Sequence, residues 1–482
     1  MKNKILLLVF VLSSTQLFAQ NSFSANDLQA DAKLLWNALN ELHPGLYRHS
    51  DSSAMKQAYL SLQDDFSKEQ SATETFLLLS EFTAKVKCGH TYLNPFNQNN
   101  GIIKSALEDK VLLPFSFSIV NQKLIVDKTI HPQIGKNSVV THINDVEVST
   151  ILNSLSKYIK ADGNRAEKKI KDLEVQLTSK YEYFDYYFPM VYGIKDSVSV
   201  TLNTGESKTI QLVSKSERKE GLTGDQSKGT TSLYDDQWNY EVKENVAYLK
   251  LGTFVTWRLS FDWEKYLDEF FEKIEAEGIQ NLVIDIRGNE GGLTDAAKYL
   301  VKKLSKVKGE TVFRKPHLAY KKVSDSLKPH VSTWSKLFYN NALWTKKLNE
   351  NFRTAKFSAN KPKRIKKNKN AFAGNTYLLI DESNSSATFI LAEICKKNNY
   401  AVLVGKETGG TKKGITAGQI FFLTLPHTKI EVDIPLIGRY PLTDLPDEGI
   451  QPDIWVEKTI EGVVSNRDEV LEKTMELINS GK

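Results

Sequence analysis

The sequence predicts an α/β fold for the part of the chain that begins near Tyr240, preceded by a helical segment. From Tyr240 onward, short runs rich in β-branched residues alternate with stretches in which apolar residues recur at helical spacing. Residues 25–87 instead show helical spacing throughout, with leucines such as Leu28, Leu35 and Leu39. Alternating strands and helices are typical of a sheet covered by helices, and an uninterrupted helical pattern indicates a separate helical unit.

The composition is that of an ordinary globular protein. Of 482 residues, 40% are apolar and 25% are charged, which argues against disorder, collagen, coiled-coil arrays and a multi-span membrane protein. At this length we expect two or three domains. The formal net charge of +6 is mild for the length, so we predict no nucleic-acid partner. No Cys or His spacing indicates a zinc site, and we predict neither a metal nor a cofactor.

The first twenty residues have the pattern of a secretory signal peptide. Lys2 and Lys4 precede an apolar run from Ile5 to Leu12, and Ala19 offers a small residue for cleavage. The run is too short to span a membrane, and the alternative is a buried N-terminal helix. We therefore predict a periplasmic or secreted protein. In that oxidising space Cys88 and Cys395 form one bridge or remain two buried thiols, and the sequence leaves this open.

The helical unit and the segment after it have distinct signals. His43-Pro44-Gly45 predicts the end of the first helix, and Ser71 followed by Glu74 is a capping box. Two strands, Val111–Val120 and Lys123–Val126, flank the turn at Asn121 and precede a helix from Ser149 to Tyr158. This order resembles a PDZ-like module, and an unrelated small β-rich module is the alternative.

The strands and helices of the α/β part follow from the same patterns. The predicted strands are Val246–Leu251, Leu282–Ile286, Tyr377–Ile380 and Val402–Val404. The predicted helices are Trp263–Glu277, Thr294–Ser305 and Ala387–Lys397. Residues 308–372 are rich in lysine and aromatic residues, and we interpret them as an insertion. Six of the nine residues 361–369 are basic, which in an exported protein predicts a solvated surface loop.

These signals divide the chain into five parts. They are a signal peptide (1–20), a helical domain (21–107), the possible PDZ-like module (108–160), a mixed connecting region (161–239) and the α/β part (240–482) with its insertion at 308–372.

Two strand–turn–helix segments carry the candidate chemistry. In Asn281–Gly292 a buried strand runs into a turn with three glycines and then into a helix, an arrangement that lets backbone N–H groups approach an oxyanion. In Tyr377–Glu393 a strand ends at Asp381, and a serine-rich turn leads into a helix. A serine there can present its Oγ at the helix N-terminus, although Ser383, Ser385 and Ser386 could equally serve only to cap the helix.

Together these segments resemble the C-terminal processing, or tail-specific, serine protease family. The likeness rests on LVIDIRGNEGG, YLLIDESNSSATFILAEI, VLVGKETGG and DEGIQPDIWV, which occur in this order between about residues 240 and 458. It implies a core similar to the crotonase/ClpP spiral of ββα units. The upstream segments LHPGLY and CGHTYL resemble the branch that includes the tricorn protease core and interphotoreceptor retinoid-binding protein.

The resemblance implies a role for five residues. Ser386 matches the nucleophile, the backbone amides of Gly291 and Ala387 match the oxyanion hole, His90 in the GHT segment matches the general base, and Glu448 matches the acid that supports it. A second branch of the family uses a lysine base about 25 residues after the serine. Thr411 occupies that position here, so a serine–lysine dyad is doubtful.

We therefore expect an exported serine peptidase that cleaves peptides or the C-terminal tails of proteins. No cofactor, metal or membrane span is implied, and the oligomeric state is left open. Two alternatives use the same scaffold without catalysis: a ligand-binding protein, as in the retinoid-binding relatives, and a PDZ-like adaptor that recognises peptide C-termini.

Overall fold

The computed structural model describes residues 22–108, 111–194, 196–223 and 234–481. The predicted signal peptide lies outside these residues, as do residues 224–233 of the mixed connecting region. Within them, no helix combines the length and the apolar character that a membrane crossing requires.

Helices occur along the whole described chain. They are α1 (Ala25–Leu42), α2 (Ser52–Asp65), α3 (Ala72–Ala84), α4 (Gly101–Glu108), α5 (Val148–Ser156), α6 (Ala166–Lys171), α7 (Tyr183–Tyr192), α8 (Lys215–Thr223), α9 (Trp263–Ala276), α10 (Thr294–Leu304), α11 (Ser386–Asn398), α12 (Ile460–Val464) and α13 (Glu469–Asn479).

Strands form several separate sheets. They are β1 (Ser22–Phe23), β2 (Gln70–Ser71), β3 (Phe115–Val120), β4 (Lys123–Thr129), β5 (Val139–Ile143), β6 (Val146–Glu147), β7 (Ser197–Leu202), β8 (Ser207–Gln211), β9 (Trp238–Lys243), β10 (Val246–Leu251), β11 (Asn281–Asp285), β12 (Gly309–Glu310), β13 (Lys315–His317), β14 (Val331–Ser332), β15 (Thr345–Lys347), β16 (Arg353–Ala355), β17 (Arg364–Ile365), β18 (Asn375–Ile380), β19 (Val402–Gly405), β20 (Ile415–Thr424), β21 (Glu431–Tyr440) and β22 (Ile454–Trp455).

The first helix ends where the sequence predicts. Ser24 caps α1 by accepting a hydrogen bond from the Asp27 amide, and His43 ends that helix. The capping box between Ser71 and Glu74 at the start of α3 is confirmed. The apolar faces of these helices share one core with the next module and with β20 and β21, so the helical unit packs directly on the rest of the molecule.

The segment after the helical unit is a β-rich module. Its strands follow the order β3-β4-β5-β7-β8, with β6 paired to β5. The first strand begins at Phe115 rather than at Val111, because Pro114 has no N–H to donate to a strand ladder and Leu112 forms only an isolated bridge with Val213. The strand order alone does not identify a PDZ domain, so that resemblance stays a prediction.

The α/β part is built on a six-stranded sheet, which confirms the predicted fold class. Its order is β22-β19-β18-β11-β10-β9, and neighbouring strands are parallel except for β9, which runs antiparallel to β10. Each predicted strand and helix of this part lies within two residues of the observed one at either end. Strands β11 and β18 are adjacent and parallel, so the turns that leave their carboxyl ends meet at one edge.

Helices cover both faces of this sheet. On one face, Leu249, Ile284 and Leu378 pack against α9, α10 and α11; on the other, Val283 and Leu379 share a small cluster with α13. Strands buried on both sides carry apolar residues at successive positions, which is the pattern that the sequence shows there.

The insertion forms short strands rather than an irregular loop. Strands β13 and β14 pair with β21 and β20 in a four-stranded sheet of order β13-β21-β20-β14, while β12 pairs with β17 and β15 with β16. The six basic residues in 361–369 are all exposed, as predicted for a solvated segment.

Cys88 and Cys395 are both buried free thiols. The alternative that the sequence left open is therefore settled in favour of two unpaired cysteines.

Candidate active site

Ser386 is the first residue of α11 and lies at the sheet edge where β11 and β18 end. Its backbone is in the left-handed region, with φ of 53°, which costs roughly 1–2 kcal/mol for a residue with a Cβ. Strain of this kind at the turn between a strand and a helix is how a nucleophilic serine is held out of the helix and towards a cleft. The neighbouring Ser385 makes no side-chain cap of the helix, so helix capping does not account for this turn.

The turns after β11 and β18 are tied together by side chains. Asn384 donates to the carbonyl oxygens of Ile286 and Asn289, at 2.5 and 3.1 Å. Ser385 Oγ donates to the carbonyl of Glu290 at 3.0 Å, and Thr388 Oγ1 donates to that of Asn289 at 2.9 Å. These bonds fix the glycine turn against the serine that follows β18.

Gly291 fits closely against Ser386. A Cβ at this position would lie 2.9 Å from both Ser386 Cβ and the Ala387 nitrogen, and the glycine has φ of 105°. Only glycine meets both conditions, so the short distance between the two chain segments explains the glycine at position 291.

The amides predicted to form an oxyanion hole differ in their availability. The Ala387 N–H, in the first turn of α11, donates to no residue that the structure describes. The Gly291 N–H is occupied, because it donates to Asn289 Oδ1 at 2.8 Å. The next amide, that of Gly292, has no acceptor within the described ranges. One predicted donor is thus free, and the glycine turn offers a second free amide one residue later.

His90 lies in a loop after α3, beside residues of the glycine turn. The segment is positioned by an isolated bridge between Tyr92 and Asp433 of β21. Burial lowers the pKa of His90, an effect opposed by Asp162 and Glu290 and reinforced by Lys160 and Lys168. The ring is therefore neutral near pH 7 and able to accept a proton. Its Nδ1 is buried without a hydrogen-bond partner, and no hydrogen bond joins the ring to Ser386 within the described residues.

Asp162 is the acid that the sequence did not single out. It lies in the loop after α5, is 5% exposed, and accepts a hydrogen bond from the Gly89 amide at 2.8 Å. One of its carboxylate oxygens is within 4.8 Å of a His90 ring nitrogen, and its side chain lines the same cavity as Ser386. An isolated Asp-Gly in a loop carries no sequence signal, because its role depends on which loop folds beside it.

Glu448 is turned to another partner. Its carboxylate accepts a hydrogen bond from Lys412 Nζ at 2.7 Å, and its side chain is 41% exposed. No hydrogen bond joins it to His90 in the described part of the chain. Its neighbour Asp447 packs against the loop that holds Asp162, with Oδ2 accepting from the Asn164 amide at 3.1 Å.

Charged groups surround the imidazole. Lys168, which is 3% exposed, donates to Asp172 at 2.9 Å and lies 3.6 Å from Glu290. The Lys168 ammonium lowers the pKa of Glu290, the residue just before Gly291. These groups were also missed, since the region after α5 carried no recognisable motif and Glu290, although part of the LVIDIRGNEGG segment, was given no role.

The position of the lysine base in the second branch holds a threonine that is engaged elsewhere. Thr411 lines the cavity beside Ser386, and its hydroxyl donates to Asp447 at 2.8 Å. Lys406 pairs with Glu382, and Lys412 pairs with Glu448. Within the described residues, none of these three side chains forms a hydrogen bond with Ser386. This agrees with the doubt that the sequence raised about a serine–lysine dyad.

A cavity of about 200 Å³ opens beside Ser386. Its walls include five apolar side chains: Val312, Phe389, Ile390, Ile394 and Ile415. Arg314, which also lines it, is held by a bidentate ion pair with Glu393 and lies over the ring of Phe389. A cavity of this size and lining accommodates an apolar side chain next to the serine hydroxyl.

Comparisons with known proteins agree with this geometry. Residues 245–456 match the model of peptidase family S41. No curated protein sequence matches the chain. The solved structure of a CPAF mutant has a TM-score of 0.62 at 13% identity, covering 94% of this chain and 98% of that one. Mature CPAF complexed with lactacystin has a TM-score of 0.61 at 12% identity, with the same coverage. At these identities the likeness shows a shared fold.

The fold, the serine at the head of α11 and the matched family model define a class, and this protein is a serine-type peptidase. The residues that match the family model, 245–456, include Ser386, the three glycines of the turn and Glu448. His90 and Asp162 lie upstream of the matched region, and the fold brings them close to the glycine turn and to the cavity beside Ser386.

Proposed function

We propose that this chain hydrolyses peptide bonds through an acyl-enzyme on Ser386, with His90 as the general base and Asp162 as the acid that orients it. The observation that carries the proposal is the convergence of three chain segments on one cleft. A strained serine at a helix N-terminus faces an apolar cavity, and a neutral imidazole and a buried carboxylate lie beside the same turn.

The chemical steps follow from these positions. His90 takes the hydroxyl proton as Ser386 Oγ bonds to the peptide carbonyl carbon, and the carbonyl oxygen becomes an oxyanion. The Ala387 N–H and an amide of the Gly291–Gly292 turn stabilise it; each donor of this kind contributes ~10²–10³ in rate. The C–N bond then breaks as the proton passes from His90 to the leaving amine, and water hydrolyses the ester by the same route.

Asp162 is preferred to Glu448 for the supporting role. It is buried, close to the ring, and fixed by the Gly89 amide, whereas Glu448 is half-exposed and paired with Lys412. A buried carboxylate beside an imidazole stabilises the imidazolium that forms when the serine is deprotonated.

The substrate class follows from the cavity. Its apolar walls favour a peptide with an apolar side chain next to the bond that is cut. Peptides and unfolded protein tails can present such a side chain in an extended conformation. The signal-like segment at residues 1–20 supports export, so we place the reaction in the periplasm or outside the cell. Mass spectrometry of the native protein tests this, since a chain that keeps Met1 contradicts it.

The experiment is covalent labelling with a fluorophosphonate, followed by peptide mapping. We expect label on Ser386, loss of labelling in Ser386→Ala, and labelling retained in Ser383→Ala, a matched change in the same turn. Folded protein that takes up no label near neutral pH favours the non-catalytic ligand-binding alternative.

A further inference from the structure

Cys88, His90 and Asp162 bring three different metal-ligating groups together. One ligand atom from each, the thiol sulfur, a ring nitrogen and a carboxylate oxygen, lies within 4.8 Å of the other two. We propose that these residues form an inhibitory site for Zn²⁺. Binding of the ion would withdraw His90 from Ser386, so the inhibition, though not the binding, rests on the proposed function.

Each of the three groups has an atom that is available to coordinate an ion. His90 Nδ1 is buried and has no hydrogen-bond partner. Asp162 uses Oδ1 to accept the Gly89 N–H, and Oδ2 accepts nothing from the described residues. Cys88 Sγ donates a long hydrogen bond of 3.6 Å to the Thr416 carbonyl, and it also interacts with the Thr91 side chain and the His90 backbone. The orphaned nitrogen is the independent sign of a missing partner, since buried polar atoms are otherwise nearly always satisfied.

The donor set selects the metal. A thiolate, an imidazole and a carboxylate are ligands of tetrahedral zinc, whereas Mg²⁺ and Ca²⁺ prefer oxygen alone. Binding releases the thiol proton of Cys88 as the Zn–S bond forms, and the resulting thiolate and the Asp162 carboxylate neutralise the ion. The fourth position is left to water.

Two nearby lysines oppose a cation, but their charge is compensated. Lys168 is paired with Asp172 and lies 3.6 Å from Glu290, while Lys160 lies over the ring of Tyr92 at 4.7 Å. Two acids thus accompany two lysines around the site. The local charge that an ion would meet comes mainly from its own ligands.

The direct test is spectroscopic and does not need catalysis. The untagged protein is freed of metal with a chelator and titrated with Co²⁺. This ion binds at zinc sites and gives a thiolate-to-metal charge-transfer absorption band when a cysteine coordinates it. We expect one equivalent to bind, with the band lost in Cys88→Ser and retained in Cys395→Ala. Cys395 is the other of the two cysteines, so this pair assigns the sulfur. Addition of Zn²⁺ should displace the cobalt.

The inhibitory role is tested by fluorophosphonate labelling with and without Zn²⁺. We expect zinc to slow labelling at least ~10-fold, as loss of a general base predicts, and Cys88→Ser to reduce this ratio. Absence of saturable Co²⁺ binding, or a band that persists in Cys88→Ser, overturns the site. Binding through Cys88 with no change in labelling overturns the inhibition. Metal-free protein that takes no label contradicts the proposed function instead, while the cobalt spectrum still decides the site.

Discussion

The Gly89 amide donates to Asp162 Oδ1 at 2.8 Å and thereby fixes a buried carboxylate next to His90. The two residues come from different modules, one from the loop after α3 and the other from the loop after α5. This bond joins the helical unit to the β-rich module beside the cavity that Ser386 lines, although the residues that match the S41 family model lie elsewhere in the chain.

The first prediction compares the two candidate acids. Asp162→Asn should lower kcat/KM by ~10²–10⁴, because an amide neither stabilises the imidazolium nor holds the productive tautomer. Glu448→Gln should change kcat/KM only a few-fold, since it breaks an ion pair with a half-exposed Lys412. Peptide hydrolysis and labelling rates measure both. A large loss in Glu448→Gln together with a small one in Asp162→Asn contradicts the assignment and restores Glu448 as the supporting acid.

The second prediction concerns the fit of the glycine turn. Gly291→Ala should abolish labelling of Ser386, because the new Cβ would lie 2.9 Å from both Ser386 Cβ and the Ala387 nitrogen. Gly288→Ala is the matched control: its φ of 81° is also positive, but a Cβ there meets nothing within 4 Å. Both variants carry similar backbone strain, of about 1–2 kcal/mol. Because of the added overlap, Gly291→Ala should unfold at a lower temperature than Gly288→Ala, and equal labelling of the two folded variants would contradict the argument.

Local signals in the sequence predicted much of the fold. The capping box at Ser71, the glycine turn at Gly291 and the apolar strands of the α/β part are short-range patterns, and each was observed within two residues. The insertion was harder, because two of its short strands, β13 and β14, acquire pairing partners only from β21 and β20, which come later in the chain.

The candidate site also combines residues that local signals predict with residues that depend on distant parts of the chain. Ser386 and the glycine turn belong to neighbouring parallel strands, so a motif on each strand is enough to predict that they meet. Asp162 lies in a loop whose position depends on the packing of α5 and on one hydrogen bond to Gly89, and no pattern near it indicates this. Likewise, the sequence could not show that Asn289 occupies the Gly291 amide, because that contact depends on a side-chain rotamer.

The third prediction tests the apolar cavity. Ile390→Ala removes part of the cavity wall beside Ser386. It should reduce kcat/KM about tenfold for peptides with a large apolar side chain before the cleaved bond, the usual cost of lost pocket contacts. Hydrolysis of the matched alanine peptide should be nearly unchanged. The ratio of the two rates is the measurement, and Ile390→Val should fall between wild type and Ile390→Ala. An unchanged ratio in Ile390→Ala means that the substrate side chain binds elsewhere.

The last prediction concerns pH and His43, which is buried between two fixed partners. Its Nδ1 accepts the Gly45 N–H at 3.1 Å, so the ring hydrogen is on Nε2 and is donated to Thr91 Oγ1 at 2.9 Å. Burial lowers the pKa of His43 from 6.5 to about 3. Below pH 6.5 the unfolded chain therefore binds a proton at His43, whereas the folded chain binds it only at about pH 3.

This difference sets the direction of the effect. Stability from His43 is fully present above pH 6.5 and is lost as the pH falls, by about 1.4 kcal/mol per unit until the folded group itself titrates. His43→Gln keeps a donor and an acceptor of similar reach but cannot be protonated. Urea unfolding at pH 7 and at pH 4.5 should show a smaller loss of unfolding free energy in the variant than in wild type. If the two proteins lose the same free energy of unfolding, another buried group determines the loss of stability at low pH. His43 then serves only to link Gly45 and Thr91 through hydrogen bonds.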